Sequence, residues 1–96
     1  MLQKNNLETI SSKNKIKLLR HLVKTSDWLF NLSELSKEIS INKGTLSRII
    51  KQFENQDIIL VKRKGKLLLF KLNLENSLVK NLIIPIFKLE DKINKK

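Results

Sequence analysis

Apolar residues recur at three- and four-residue steps through residues 12–24, where Ile16, Leu19, Leu22 and Val23, with Leu18 beside them, stand among Lys13, Lys15, Lys17 and Arg20. On a 3.6-residue turn this spacing lines up one apolar stripe, which predicts a first amphipathic helix. Trp28-Leu29-Phe30 follows as a small strand or extended lead-in. Asn31 then precedes Leu32-Ser33-Glu34 in the capping-box arrangement, with the Asn31 side chain able to accept from the Glu34 amide and the Glu34 carboxylate able to reach back. Phe30 and Leu35 hold the staple positions, so a second helix is expected over about 32–39. The same logic returns at Asn42, which can cap a helix carrying Leu46, Ile49, Ile50 and Phe53, with Ile41 and Leu46 as its staple. That third helix should span about 43–56. Only Ser40 and Ile41 separate its cap from the end of the second helix, which favours a tight turn and a steep crossing over an antiparallel pair.

After Asp57 the pattern changes. Runs rich in Ile, Leu and Val at 58–62 and 67–72 flank Arg63-Lys64-Gly65-Lys66, which predicts a hairpin turning at Lys64-Gly65, with Gly65 supplying a positive φ. Helical spacing resumes through Leu78, Leu82, Ile86, Leu89 and Ile93, and Pro85 interrupts it, so residues 74–96 should form a kinked helix or two short ones. The fold class is therefore mainly α with a small β-hairpin. No internal repeat is evident.

Composition narrows the picture. The chain has 96 residues, the size of one domain, and 41% of them are hydrophobic, enough for one modest core. Twenty Lys and Arg against nine Asp and Glu leave a formal charge of +11, which points to a polyanionic partner, nucleic acid first and an anionic membrane surface second. With no Cys, disulfides, thiolate metal sites and cysteine nucleophiles are excluded. The longest apolar run, Leu82-Ile83-Ile84-Pro85-Ile86-Phe87, is far short of the roughly 20 residues that cross a bilayer. Met1-Leu2-Gln3-Lys4-Asn5-Asn6 lacks a secretory pattern, which makes a cytoplasmic location the expectation.

The order helix, short strand, helix, turn, helix, hairpin resembles the winged helix-turn-helix family of prokaryotic transcription regulators over residues 12–72. Its most specific stretch is Leu32-Ser33-Glu34-Leu35-Ser36-Lys37-Glu38-Ile39-Ser40-Ile41-Asn42-Lys43-Gly44-Thr45-Leu46-Ser47-Arg48-Ile49-Ile50. It looks like the family's Glu-Leu-Ala helix followed by its Thr-Val-Ser-Arg reading helix. Three positions depart from the pattern: Ser36 stands for the usual Ala, Ser40 for the Gly of the turn, and Asp57 for the Gly that ends the reading helix. With a helix after the hairpin, the layout is similar to the group containing the arsenic-sensor and multiple-antibiotic-resistance repressors, whose terminal helices form the dimer. The resemblance implies a sequence-specific regulator of transcription that binds double-stranded DNA as a homodimer. No cofactor is expected, since the lack of Cys and the single His21 argue against a metal sensor. The effector is not specified.

On the third helix the apolar side must face the core, which turns Lys43, Thr45, Ser47, Arg48, Lys51 and Gln52 toward solvent or a major groove. Arg48 suits bidentate contact with guanine and Gln52 with adenine. Asn42 and Gly44 sit at the positive helix end, where bare backbone can approach a phosphate. The hairpin's Lys62, Arg63, Lys64, Gly65 and Lys66 suit phosphate or minor-groove contact. The bland alternatives are edge protection for the wing lysines and a salt bridge to Glu54 or another surface acid for Arg48. Trp28, Phe30, Phe53, Phe70 and Phe87 read as core or interface residues rather than a base-stacking platform. Leu78, Leu82, Ile86, Leu89 and Ile93 read as a dimer interface, with packing on the first helix as the alternative. No catalytic constellation stands out, so an enzyme is not expected. The competing functions are a winged-helix module that binds acidic protein and an architectural protein that coats DNA without sequence choice.

Overall fold

The computed structural model describes residues 12–94, and the expectation drawn from residues 1–6 lies outside that span. Helix α1 (Lys13–Lys24) opens at Ser12, whose hydroxyl accepts the Lys15 amide at 3.1 Å, and it buries Leu18, Leu19 and Leu22. Helix α2 (Leu32–Ile39) opens on the expected capping box: the Glu34 amide donates to Asn31 Oδ1 at 2.8 Å and the Asn31 amide donates to Glu34 Oε1 at 3.1 Å. Phe30 and Leu35, the staple pair, are both buried. Helix α3 (Lys43–Asn55) opens at Asn42, whose Oδ1 accepts the Thr45 amide at 3.1 Å, and it turns Leu46, Ile49, Ile50 and Phe53 inward.

Two left-handed residues stop α2 and α3, and neither is glycine. At the end of α2, Ser40 has φ 54°, and the Ile41 amide donates back to the Ser36 carbonyl at 3.2 Å. At the end of α3, Asp57 has φ 60°, the Ile58 amide donates to the Phe53 carbonyl at 2.8 Å, and the Asp57 amide to that of Glu54 at 3.0 Å. The second set is the bond pair of a Schellman closure, and the apolar contact that accompanies such a closure is supplied by the fully buried Phe53 and Ile58. Ser36 does more than fit where Ala is usual. Its hydroxyl donates to the Ile41 carbonyl at 2.7 Å, so one residue secures both polar groups of the turn. The Asp57 turn is braced from outside, since Asn73 Nδ2 and Asn76 Nδ2 donate to its carbonyl at 2.8 and 3.0 Å.

Strands β1 (Ile59–Lys64) and β2 (Leu67–Leu72) pair antiparallel in the register Ile59 with Leu72 through Lys64 with Leu67. The loop is therefore shorter than the expected four residues. Arg63 and Lys64 belong to the ladder, and only Gly65 and Lys66 turn, with φ 62° at Gly65. Positive φ at the first central residue alone suits a type II′ hairpin, whose twist matches that of the strands. Ile59, Val61, Phe70 and Leu72 share the face that meets the core. The anticipated strand at residues 28–30 reduces to one bridge, in which Phe30 and Phe70 exchange both backbone bonds at 3.0 and 2.7 Å. Of the core or interface placements expected for it, Trp28 does not take the first. It is 62% exposed, its ring 6.0 Å from that of Phe30.

The C-terminal segment is one continuous helical stretch with a bulge just ahead of Pro85, so two separate short helices do not form. Asn76 Oδ1 accepts the Val79 amide at 3.0 Å at its start. A π-helical turn, Val79–Ile83, leads into α4 (Ile84–Asn94), with the Ile84 amide reaching back five residues to the Val79 carbonyl. The cause is Pro85, which has no amide to donate and whose ring would strike the carbonyl four residues back; widening the preceding turn accommodates both. Val79, Ile83 and Phe87 form the row that enters the core beside α1. At the end of that row Arg20 grips Glu90 with two bonds of 2.8 Å, its guanidinium 5.7 Å above the Phe87 ring. Among the described residues no helix is long and apolar enough to cross a membrane.

A glycine at position 40 would remove the left-handed cost carried by a serine Cβ, offset in part by its greater chain entropy. Ser40→Gly is expected to raise the unfolding free energy by about 0.5–1 kcal/mol, read as a higher urea midpoint at an unchanged m-value, and a lower midpoint would overturn this account of the turn. Hydrogen bonding from Arg20 holds the Glu90 carboxyl below its ordinary range, against a smaller opposing effect of desolvation. A carboxylate with a lowered folded pKa contributes stability above its unfolded pKa and loses it as pH falls through the folded one. Wild type and Glu90→Gln should thus differ slightly near neutrality and converge under acid, as read from thermal midpoints across a pH series; the effect is small because both partners are well exposed.

Candidate nucleic-acid interface

Winding α3 at 3.6 residues per turn sets Gly44, Arg48, Lys51 and Asn55 directly opposite the buried row of Leu46, Ile49, Ile50 and Phe53. Ser47 and Gln52 flank this outer stripe, and all six are exposed. Lys43 is exposed near the edge of the apolar face, while Thr45 is half-buried, held by the cap at Asn42. Asn55 was not among the sequence candidates. Its signal was present, one helical turn beyond Lys51, but a stripe counted from the capped end was stopped at Gln52. From Gly44 to Asn55 the stripe runs about 16 Å along the axis, a length that a major groove roughly 12 Å wide accepts when the helix lies along it.

Several of these side chains are available for a partner. Among the described residues Arg48 forms no ion pair, so the salt bridge with Glu54 weighed as its alternative role is not made. At Gly44 an added Cβ would lie 3.3 Å from Asn42 Oδ1, the atom that caps the helix. The bare Cα thus keeps the cap uncrowded as well as exposing backbone at the positive end of the helix dipole. No acid stands in the first turn of α3 to neutralise that end.

The wing presents Lys62, Arg63, Lys64, Gly65 and Lys66, all exposed, around its turn. No acid occurs from Ile58 to Leu74. Their register separates them: Lys62 and Lys64 stand on the outer face of the hairpin with Lys71, whereas Arg63 is on the face shared with Val61 and Phe70. Helix α1 keeps Lys13 and Lys17 exposed, but Arg20 is committed to Glu90 and leaves the set of free cations. His21 is half-buried against the Phe30 ring at 5.3 Å, with Nε2 3.3 Å from Glu38 Oε1 without hydrogen-bond alignment. It joins α1 to α2 and stands apart from the reading stripe.

The row Leu78, Leu82, Ile86, Leu89 and Ile93 divides. Leu78 and Leu82 are half-buried, Leu78 against the core, while Ile86, Leu89 and Ile93 are exposed, Leu89 by 57%. The fully or nearly fully buried residues of this helical stretch are Val79, Ile83 and Phe87, the neighbouring row.

No family model matches the sequence, and no curated protein sequence matches it. Solved structures do match the fold. The transcriptional repressor BigR from Xylella fastidiosa is similar with a TM-score of 0.75 at 22% identity, over 97% of this chain and 86% of that one. HlyU from Vibrio cholerae is similar with a TM-score of 0.70 at 12% identity, over 94% of this chain and 88% of that one. The transcriptional repressor PagR of Bacillus anthracis has a TM-score of 0.69 at 17% identity, covering 92% and 91%. The fold is the winged helix, with the additional C-terminal helix that the sequence pattern had suggested.

Proposed function

We propose that this protein is a regulator of transcription that binds double-stranded DNA as a homodimer, α3 lying in the major groove and the wing on phosphates or in the minor groove. The observation that carries this reading is the outer stripe of α3, where a free Arg48 and Lys51 follow an uncrowded helix N-terminus on a helix whose opposite face is fully used by the core. The fold is shared with proteins described as transcriptional repressors, which supports the same reading. Within it, Arg48 reads bases, Ser47 and Gln52 contact base edges or phosphates, and Lys43, Lys62, Lys64 and Lys66 supply charge without sequence preference. The protein acts by binding, not by catalysis, and works where the chromosome is, in the cytoplasm.

Ile86, Leu89 and Ile93, continued by Leu82, form the dimer contact in this reading. Two reading helices then enter successive major grooves about 34 Å apart and favour a palindromic site.

Selection from random-sequence duplexes, followed by a salt titration of the enriched site, tests the function directly. An enriched palindrome is the expected result, no enrichment supports coating of DNA, and no duplex binding at low salt ends the reading. On the enriched site Arg48→Ala should cost roughly 1–3 kcal/mol and relax sequence preference, while Lys64→Ala should weaken specific and random duplexes alike and flatten the salt slope. Equal losses on both duplexes would remove Arg48 from base readout. For the dimer the clean probe is a substitution on the exposed row, since deleting the helix would also remove Val79, Ile83 and Phe87 from the core. Leu89→Glu is expected to sediment as a monomer with unchanged helical content; a wild-type monomer, or a variant that stays dimeric, contradicts the assignment.

A further inference from the structure

The outer face of the wing is neither a buried sheet face nor an ordinary polar one. Each of its three cross-strand pairs joins one leucine to one lysine: Leu60 with Lys71, Lys62 with Leu69, and Lys64 with Leu67. Toward the tip the two kinds separate by strand, with Lys62 and Lys64 on β1 and Leu69 and Leu67 on β2. Leu67, beside the turn, is 47% exposed, and Leu60, at the far end, is 41% exposed. A solvated hairpin gains nothing from leucines at its tip, and protection of a sheet edge is provided by lysines alone.

From this arrangement we infer that the wing carries an apolar wedge, Leu67, which enters the minor groove of duplex DNA and bends it. The inference rests on the DNA-binding reading above. A second copy of the chain does not fit the face, because docking two such surfaces would gather Lys62, Lys64 and Lys71 of both copies with no acid of the hairpin to offset them. A polyanion with apolar walls satisfies both halves: the β1 lysines meet the phosphates on one side of the groove, and the β2 leucines meet sugars and base edges. Two strands lie under 5 Å apart and the minor groove is about 6 Å wide, so the ribbon enters by its tip and the groove must open around it. Leucines inserted at a base step partly unstack it and turn the duplex toward the major groove, and the unstacking is offset by the wider contact that the bend permits. The free energy of bending then depends on the sequence under the wing, which gives it a share in specificity that its lysines alone could not have.

The test uses the full chain and a short duplex labelled at both ends, carrying the site enriched from random sequence, with end-to-end distance read by energy transfer. Wild type should bend the duplex by an angle on the order of 20–90°. Leu67→Ser should lose most of that bend, while Leu60→Ser, the same chemical change on the same face away from the tip, should keep it; circular dichroism confirms that both variants are folded. Wild type that binds the duplex without bending it, or Leu67→Ser that bends it as fully as wild type, overturns the wedge and leaves the regulator reading intact. Absence of duplex binding overturns both. Vesicles of phosphatidylglycerol form a separate arm: Leu67→Ser that abolishes vesicle binding and spares the bend would assign this face to an anionic membrane and overturn the inference.

Discussion

The three-residue connection between α2 and α3, Ser40 to Asn42, is the constraint on which the remaining geometry depends. Ser36 holds it from one side with its carbonyl, which accepts the Ile41 amide, and with its hydroxyl, which donates to the Ile41 carbonyl. Ser40 accepts a left-handed backbone so that the chain can reverse at once, and Asn42 caps the next helix two residues later. In consequence Leu35, Ile39, Ile41 and Leu46 all reach one core, and the crossing of the helices fixes which side of α3 is left outside. The cost of a non-glycine residue in this conformation is of order 1 kcal/mol, offset by the two bonds at Ser36 and by the burial of Ile41.

The opposite end of α3 is closed in the same manner at Asp57, and this closure has a different consequence. Ile58 is brought over Phe53, the chain passes directly into β1, and Asn73 and Asn76 return from beyond β2 to hold the Asp57 carbonyl. The end of α3, the base of the wing and the start of the C-terminal helix are thereby joined at one place. Asn76 serves both sides, donating to Asp57 and capping the following helix through Val79. The wing is thus anchored at its base while its basic tip extends free of the core.

The C-terminal helix satisfies two demands because it has two apolar rows. Val79, Ile83 and Phe87 complete the core against α1, and the Arg20–Glu90 pair closes that contact at its solvent edge. Leu82, Ile86, Leu89 and Ile93 turn away from it. The π turn ahead of Pro85 shifts the helical phase between the upper and lower parts of the segment, so the inner row still points to the core on both sides of the bulge.

Much of this was legible in the residues. The caps at Asn31 and Asn42, the buried row of α3 and the positive φ at Gly65 follow from local rules, because a short polar side chain meets its own helix end and an apolar period must face one side. Other features were not legible. Trp28 has an apolar side chain among apolar neighbours, yet it stays outside while Phe30, two residues on, is buried and bridged to Phe70. Arg20 looked like one more cation of α1 until the fold brought Glu90 within 2.8 Å across 70 residues of chain. The terminal leucine and isoleucine stripe was read as one row because period alone cannot say which of two adjacent rows meets the core. The sequence by itself determined where the helices start, how the hairpin turns and that the surface is basic, since those depend on neighbours within a few residues. The tertiary structure decided which cations remain free and which leucines remain uncovered, since those depend on partners that only folding brings together.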